Sequence, residues 1–178
     1  PGPHLGHVMA LDSAISLIVS VVLALAAAAS GAFFKPGTWY QQLAKPPWRP
    51  PDWLFGPVWM VLYGMMAVAA WMVYETAGFA GAGTALGIYL VHLLLNAGWS
   101  AVFFGMRSPG WGLIEVVGLW TSIAATIVAF LPVDTTAALL LLPYLAWVSF
   151  ATALNFRIWQ LNPGGKPAGQ PAKPAQTA

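Results

Sequence analysis

The chain has 178 residues, of which 59% are hydrophobic and only 7% charged, with a mean hydropathy of +0.72. A soluble domain carries roughly 25% charged residues, so this chain cannot cover itself with a water-facing surface and lipid must be its solvent. The absence of cysteine excludes disulfides, thiolate metal sites and cysteine nucleophiles. A pI near 9.2 rests on so few charges that it speaks of membrane topology and not of nucleic-acid binding.

In chain order, residues 1–8 (PGPHLGHV) precede Met9 and read as a cleavage or cloning remnant, which sets His4 and His7 aside. A membrane domain over 9–162 is expected, followed by a disordered Pro/Gly/Ala/Gln-rich tail over 163–178. Leu11 to Phe34 is apolar for a little more than the ~20 residues that a span requires. Its flank carries Asp12 and no cation, the wrong charge for a secretory leader, so it is read as transmembrane helix 1. Ala24, Ala28 and Ala32 at four-residue spacing suit close helix packing.

Between Trp39 and Tyr63 the composition changes. Prolines 46, 47, 50 and 51 fix φ and remove backbone donors, so the first half of this stretch cannot be helix interior. It is expected to be an ordered, non-helical lid over whatever the helices enclose. For Trp48 and Trp53 a place in the interfacial aromatic belt is an equal alternative. Helix 2 is expected from Leu54 to Tyr74, with Pro57 tolerated in its first turn and the Gly-rich AGFAGAG as its exit. Helix 3 follows from Thr84 to Phe104, helix 4 from Trp111 to Phe130, and helix 5 from after Asp134 to Leu161, kinked at Pro143. The fold class is thus an all-α integral membrane bundle of five spans.

All seven Lys and Arg fall in the connections after helices 1 and 3 or at the end and tail of helix 5, whereas Asp12, Glu75 and Asp134 mark the other side. The positive-inside rule then predicts an external N-terminus and a cytoplasmic C-terminus, in a bacterial cell membrane.

Polar groups inside spans point to the bundle interior. His92, Asn96, Trp99 and Phe103 share one face of helix 3. Tyr144, Trp147, Ala151, Leu154 and Asn155 share one of helix 5, and Trp59, Tyr63 and Met66 one of helix 2. These stripes read either as interhelical hydrogen bonding or as the wall of an apolar cavity with few polar anchors, the kind that holds a flat hydrophobic ligand. Glu115 is the one acid within a span and either reaches interfacial water or is protonated or paired. Gly83-x-x-x-Gly87 is a small-xxx-small pattern, a candidate homodimer contact. No metal site, obligatory cofactor or nucleic-acid partner is expected, and nothing has the spacing of an ordinary catalytic set.

Three motifs carry a resemblance: Trp39-Tyr40-x-x-Leu43-x-Lys45-Pro46-x-Trp48-x-Pro50-Pro51-x-Trp53, Leu95-Asn96-x-x-Trp99-Ser100, and Pro143-Tyr144-Leu145-x-Trp147-x-x-Phe150-Ala151. On these the chain resembles the TspO/translocator protein family, the tryptophan-rich sensory proteins or peripheral-type benzodiazepine receptors. The resemblance implies a five-helix bundle, usually a homodimer, that binds porphyrins such as protoporphyrin IX and haem. By motif position it implies a pocket of Trp39, Tyr40, Trp59, Asn96, Trp147, Ala151 and Leu154, to which the helical stripes add Tyr63, Trp99 and Phe103. Lys45 and Arg49 then either stand at its mouth, paired with propionates, or are solvated or lipid-facing cations. It also implies a role in tetrapyrrole regulation or stress response. The alternatives are light-dependent porphyrin degradation, and a sterol- or lipid-binding or interaction protein. For sterol the pattern departs from the animal members, because Phe156 stands where they carry a tyrosine.

Overall fold

The structure is a computed structural model that describes residues 3–167. Every regular element among them is helical. A long helix α1 (Pro3–Phe33) leads into a short α2 (Thr38–Gln42) and an extended stretch, and then into α3 (Asp52–Ser100), which continues as a π-helical turn at Ala101–Gly105. After it come α4 (Pro109–Phe130), α5 (Thr135–Leu140), α6 (Leu142–Leu161) and a 3₁₀ turn at Pro163–Gly165. Four segments are long and apolar enough to cross a membrane: Gly6–Phe33, Asp52–Gly105, Pro109–Phe130 and Thr135–Leu161. The chain is a multi-pass membrane protein.

The expected break between helices 2 and 3 falls inside α3, where helical turns continue into the Gly-rich stretch and two helices meet at a kink. At ~1.5 Å per residue a straight helix of this length would reach about twice the ~30 Å hydrocarbon core. It does not run straight. Gly78 has φ 58° and ψ −169°, and Ala82 also leaves helical geometry. That region of φ/ψ is open essentially to glycine alone, and there α3 doubles back. The hydroxyl of Tyr63 donates to Asn96 Oδ1 at 2.6 Å, across 33 residues of sequence, so the two legs lie side by side.

Other ends have local causes. Ser108 caps α4 by accepting from the Trp111 amide, with Pro109 in the first turn, which starts this helix two residues before the expected Trp111. Asp134 caps α5 through Oδ1 and the Ala137 amide. Pro143 cannot donate to Leu139, so the expected kink appears as the break at Leu141 between α5 and α6. The extended stretch expected around Trp39 contains a helical turn, α2, before the prolines take over. Of the expected tail, the first residues after Asn162 form the 3₁₀ turn, which packs on Arg107. Residues 168–178 of that tail lie outside the described residues.

The bundle is solid at the end that carries Glu75 and Asp134. Met66, Ala69, Val73, Ile123, Phe130, Ala137 and Ala138 have no exposed surface there. Helix α1 leans on this core through small residues, with Ala24 and Ala27 buried and the Ser20 hydroxyl donating to Ala67 O. Its other face, including Ile18, Val22 and Leu25, is exposed as a lipid-facing surface would be. Toward the cationic end the packing opens into a cavity.

Candidate functional site

The cavity has a volume of about 450 Å³ and is enclosed by α1, α3, α4, α6 and the α2 segment. This lies within the roughly 300–1,000 Å³ of small-molecule sites. On the first leg of α3, Trp59 and Tyr63 stand one turn apart with ring centroids 5.7 Å from each other. On the second leg Asn96 and Trp99 face them. The π turn adds a residue just beyond and swings Phe103 inward, where it is 1% exposed and stacks on Trp99 at 4.9 Å and 25°. Gly112 of α4 permits this, because a Cβ there would stand 2.9 Å from the Phe103 ring. Helix α6 contributes Trp147, Ala151 and Leu154 on one stripe.

A polar chain runs from the cavity wall into the core. Asn96 accepts from Tyr63 and donates through Nδ2 to the Tyr144 hydroxyl at 2.7 Å. His92 Nδ1 faces the Tyr89 carbonyl at 3.1 Å and Nε2 faces the Tyr144 hydroxyl at 2.8 Å. A carbonyl can only accept, so the ring proton sits on Nδ1 and Tyr144 donates to Nε2. Each member is thereby satisfied, and His92 has no lone pair left to offer a ligand. Trp99 donates to Asn155 Oδ1, and Asn155 donates to Pro109 O. By contrast, the Trp147 indole N–H is buried with no acceptor among the described residues. Both carboxyl oxygens of Glu115 are likewise buried without a partner among the described residues. They lie against Gly98, whose missing side chain makes the room, and outside the cavity.

The α2 segment and the stretch after it close one side. Leu43 is 4% exposed and packs with Phe103, Leu154 and Ile158. Next to it Asn162 makes a reciprocal pair with Ala44: the Ala44 amide donates to Oδ1 at 2.9 Å, and Nδ2 donates to Ala44 O at 2.8 Å. The second Nδ2 proton goes to Ile158 O. The Trp39 indole donates to Gly165 O at 2.9 Å. Tyr40 faces the cavity, and burial, with Asp52 second, pushes its phenol above the ordinary 10.0.

Of the residues expected from sequence, Tyr40, Trp59, Tyr63, Asn96, Trp99, Phe103, Trp147, Ala151 and Leu154 all line this one cavity. Trp39 lies behind the wall, edge-on to Phe103 at 5.7 Å. Lys45 and Arg49 are not at the lining. Lys45 Nζ sits 4.6 Å over the Tyr40 ring and donates to the Gln41 and Leu43 carbonyls. Burial, then the nearby Arg49 charge, holds its pKa below the usual lysine value. Arg49 pairs with Asp52 at 3.1 Å. Trp48 and Trp53 are 47% and 71% exposed, which suits the belt alternative, although Trp48 also touches Phe150 edge-on. Gly83 and Gly87 stand far from the cavity on the second leg of α3. The α1 side of the wall, with Ala27, Ala28, Gly31 and Phe34, escaped the sequence reading, which took small residues there only as packing. Asn162 escaped it too, because an Asn before Pro-Gly-Gly reads simply as a helix end.

Comparison with known proteins bears on the same stretch. The model of the TspO/MBR family matches residues 18–160. The tryptophan-rich protein TspO of Chlorobaculum tepidum is 49% identical over 154 residues, covering 84% of this chain and 97% of the relative. The tryptophan-rich sensory protein of Cereibacter sphaeroides is 44% identical over 137 residues, 77% of this chain and 85% of the relative. The translocator protein of Homo sapiens is 44% identical over 128 residues, 71% and 76% of the two chains. The helical membrane bundle, a cavity lined by residues of all three motifs and a family match that covers that whole lining agree: the chain belongs to the TspO/MBR family.

Proposed function

We propose that the protein is a membrane receptor or carrier for flat hydrophobic ligands of the porphyrin class, protoporphyrin IX or haem, held between the legs of α3 and helix α6. The observation that carries this reading is the mainly apolar cavity walled by Trp59, Trp99 and Trp147. Aromatic faces stack on a planar macrocycle with little loss of side-chain entropy. The Trp147 indole N–H is buried with no acceptor among the described residues, a cost that a small ring shift toward a ligand acceptor would relieve. The names sensory protein and translocator protein among the relatives suit a molecule that binds a ligand and then signals or moves it.

Each leg of α3 crosses the bilayer in this reading, which makes five spans, with the Lys- and Arg-bearing end in the cytoplasm. Two copies meet through Gly83 and Gly87, where an added Cβ would touch nothing within the protomer. Exposed Leu90, Val91 and Leu94 continue that face. Titrating protoporphyrin IX into the protein in nanodiscs should quench tryptophan fluorescence saturably. A folded Trp59→Leu/Trp147→Leu double variant should bind at least ten-fold more weakly, from two stacking contacts of about 1 kcal/mol each. Unchanged affinity in that variant would remove the cavity as the porphyrin site.

A further inference from the structure

A second cavity of about 380 Å³ adjoins the first at the cationic end. Phe104 is a wall of both. Where the first is apolar, this one is mainly polar, and its lining includes Lys35, Thr38, Trp39, Gln42 and Arg107. Lys35 comes two residues after the end of α1, and Arg107 two residues after the membrane-length segment ending at Gly105. Both cations therefore stand at the bilayer boundary.

Neither has a counter-ion within the described residues. The chain has five acidic side chains. Asp12, Glu75 and Asp134 belong to the opposite end, Glu115 is buried against Gly98, and Asp52 is taken by Arg49. Lys35 and Arg107 are both exposed side chains that line one pocket, and the positive potential they create there favours an anion. Arg107 is moreover held at φ 51°, the only described residue other than glycine with positive φ. The 3₁₀ turn presses on it there, so close that a Cβ on Gly165 would stand 3.0 Å from Arg107 O. Backbone of this kind persists only where the surroundings impose it.

We infer that this polar cavity is an oxyanion site, in which Lys35 and Arg107 grip a phosphate or carboxylate at the membrane surface while Thr38 and Gln42 add neutral donors. Guanidinium and ammonium groups both form charge-assisted hydrogen bonds to such oxygens. The oxyanion comes either from an anionic phospholipid headgroup or from the carboxylate arm of an amphipathic ligand whose flat body lies beyond Phe104. The second source rests on the proposed porphyrin function, and the first does not.

The test uses the full chain and a Lys35→Gln/Arg107→Gln double variant, with Lys35→Arg/Arg107→Lys as the charge-conserving control for folding. In one arm, native mass spectrometry counts phosphatidylglycerol retained against phosphatidylcholine. In the other, protoporphyrin IX is compared with its uncharged dimethyl ester. A headgroup site predicts that the double variant loses one tightly held phosphatidylglycerol. A carboxylate site predicts that the acid-over-ester preference falls about ten-fold or more, with ester affinity unchanged. In either case the control behaves as wild type, and raised salt weakens the effect. If porphyrin and ester both fail to bind, the function proposed above is lost, and the lipid arm alone decides the oxyanion site. If the double variant changes neither lipid retention nor the acid-over-ester ratio, the inference is overturned.

Discussion

Replacing Asn162 with alanine tests how the segment over the cavity is held. The side chain makes two hydrogen bonds to the Ala44 backbone, at 2.9 and 2.8 Å, and a third to Ile158 O within its own helix. Only the first two tie the covering segment to the bundle. At about 1 kcal/mol net for each, their loss shifts the opening equilibrium by roughly 2 kcal/mol, or about 30-fold. The change falls on local opening more than on global stability, because Leu43 and its apolar contacts with Phe103, Leu154 and Ile158 remain. Hydrogen exchange should show amides over residues 40–49 losing about 30-fold in protection, while the α4 amides hold theirs. The dissociation rate of a ligand in the main cavity should rise by a similar factor. A folded variant with protection across 40–49 within two-fold of wild type would refute the latch, leaving Leu43 as the true anchor.

Gly78→Ala should destabilise the hairpin of α3 by about 1–3 kcal/mol, because its φ/ψ is closed to a residue with a Cβ; a thermal scan in detergent with an unchanged midpoint would contradict this. Tyr144→Phe leaves Asn96 Nδ2 and His92 Nε2 without their partner and should cost about 1–2 kcal/mol, the scale of hydrogen bonds between membrane helices. Steric-trapping or denaturant unfolding checks that value. Tyr40 supplies a pH signature. Its folded pKa lies above 10.0, so the stabilisation it gives is complete below the unfolded value and is lost as pH rises through the folded one. The tyrosinate absorbance that disappears in Tyr40→Phe should therefore be the part that titrates later than a free tyrosine; an earlier titration would mean that the ring is not buried.

Most of the site was legible because helical periodicity is a local property. Stripes at i, i+4 and i+7 put Trp59 with Tyr63, Asn96 with Trp99, and Trp147 with Ala151 and Leu154 on inward faces before any tertiary information is needed. What escaped depends on contacts across long sequence separations. The pairing of Asn162 with Ala44 spans 118 residues, and no local pattern announces it. The diversion of Lys45 and Arg49 into their own segment was also hidden. A cation near a mouth looks available until a carbonyl, a ring and Asp52 are placed beside it. How helices 2 and 3 join was also hidden, since Ala-Gly-Phe-Ala-Gly-Ala-Gly can be loop or bent helix and the backbone at Gly78 and Ala82 decides.

The tight packing between Met66, Val73, Ile123 and Phe130 makes the hollow a blind pit and not a tunnel. Whatever enters from the cationic end must back out by the same door or slip sideways between helices into the acyl chains. Vectorial passage across the whole bilayer by a single protomer would demand that this plug come apart. Any guest of this cavity would thus leave at one leaflet without disturbing the plug, whereas passage to the other side would break it.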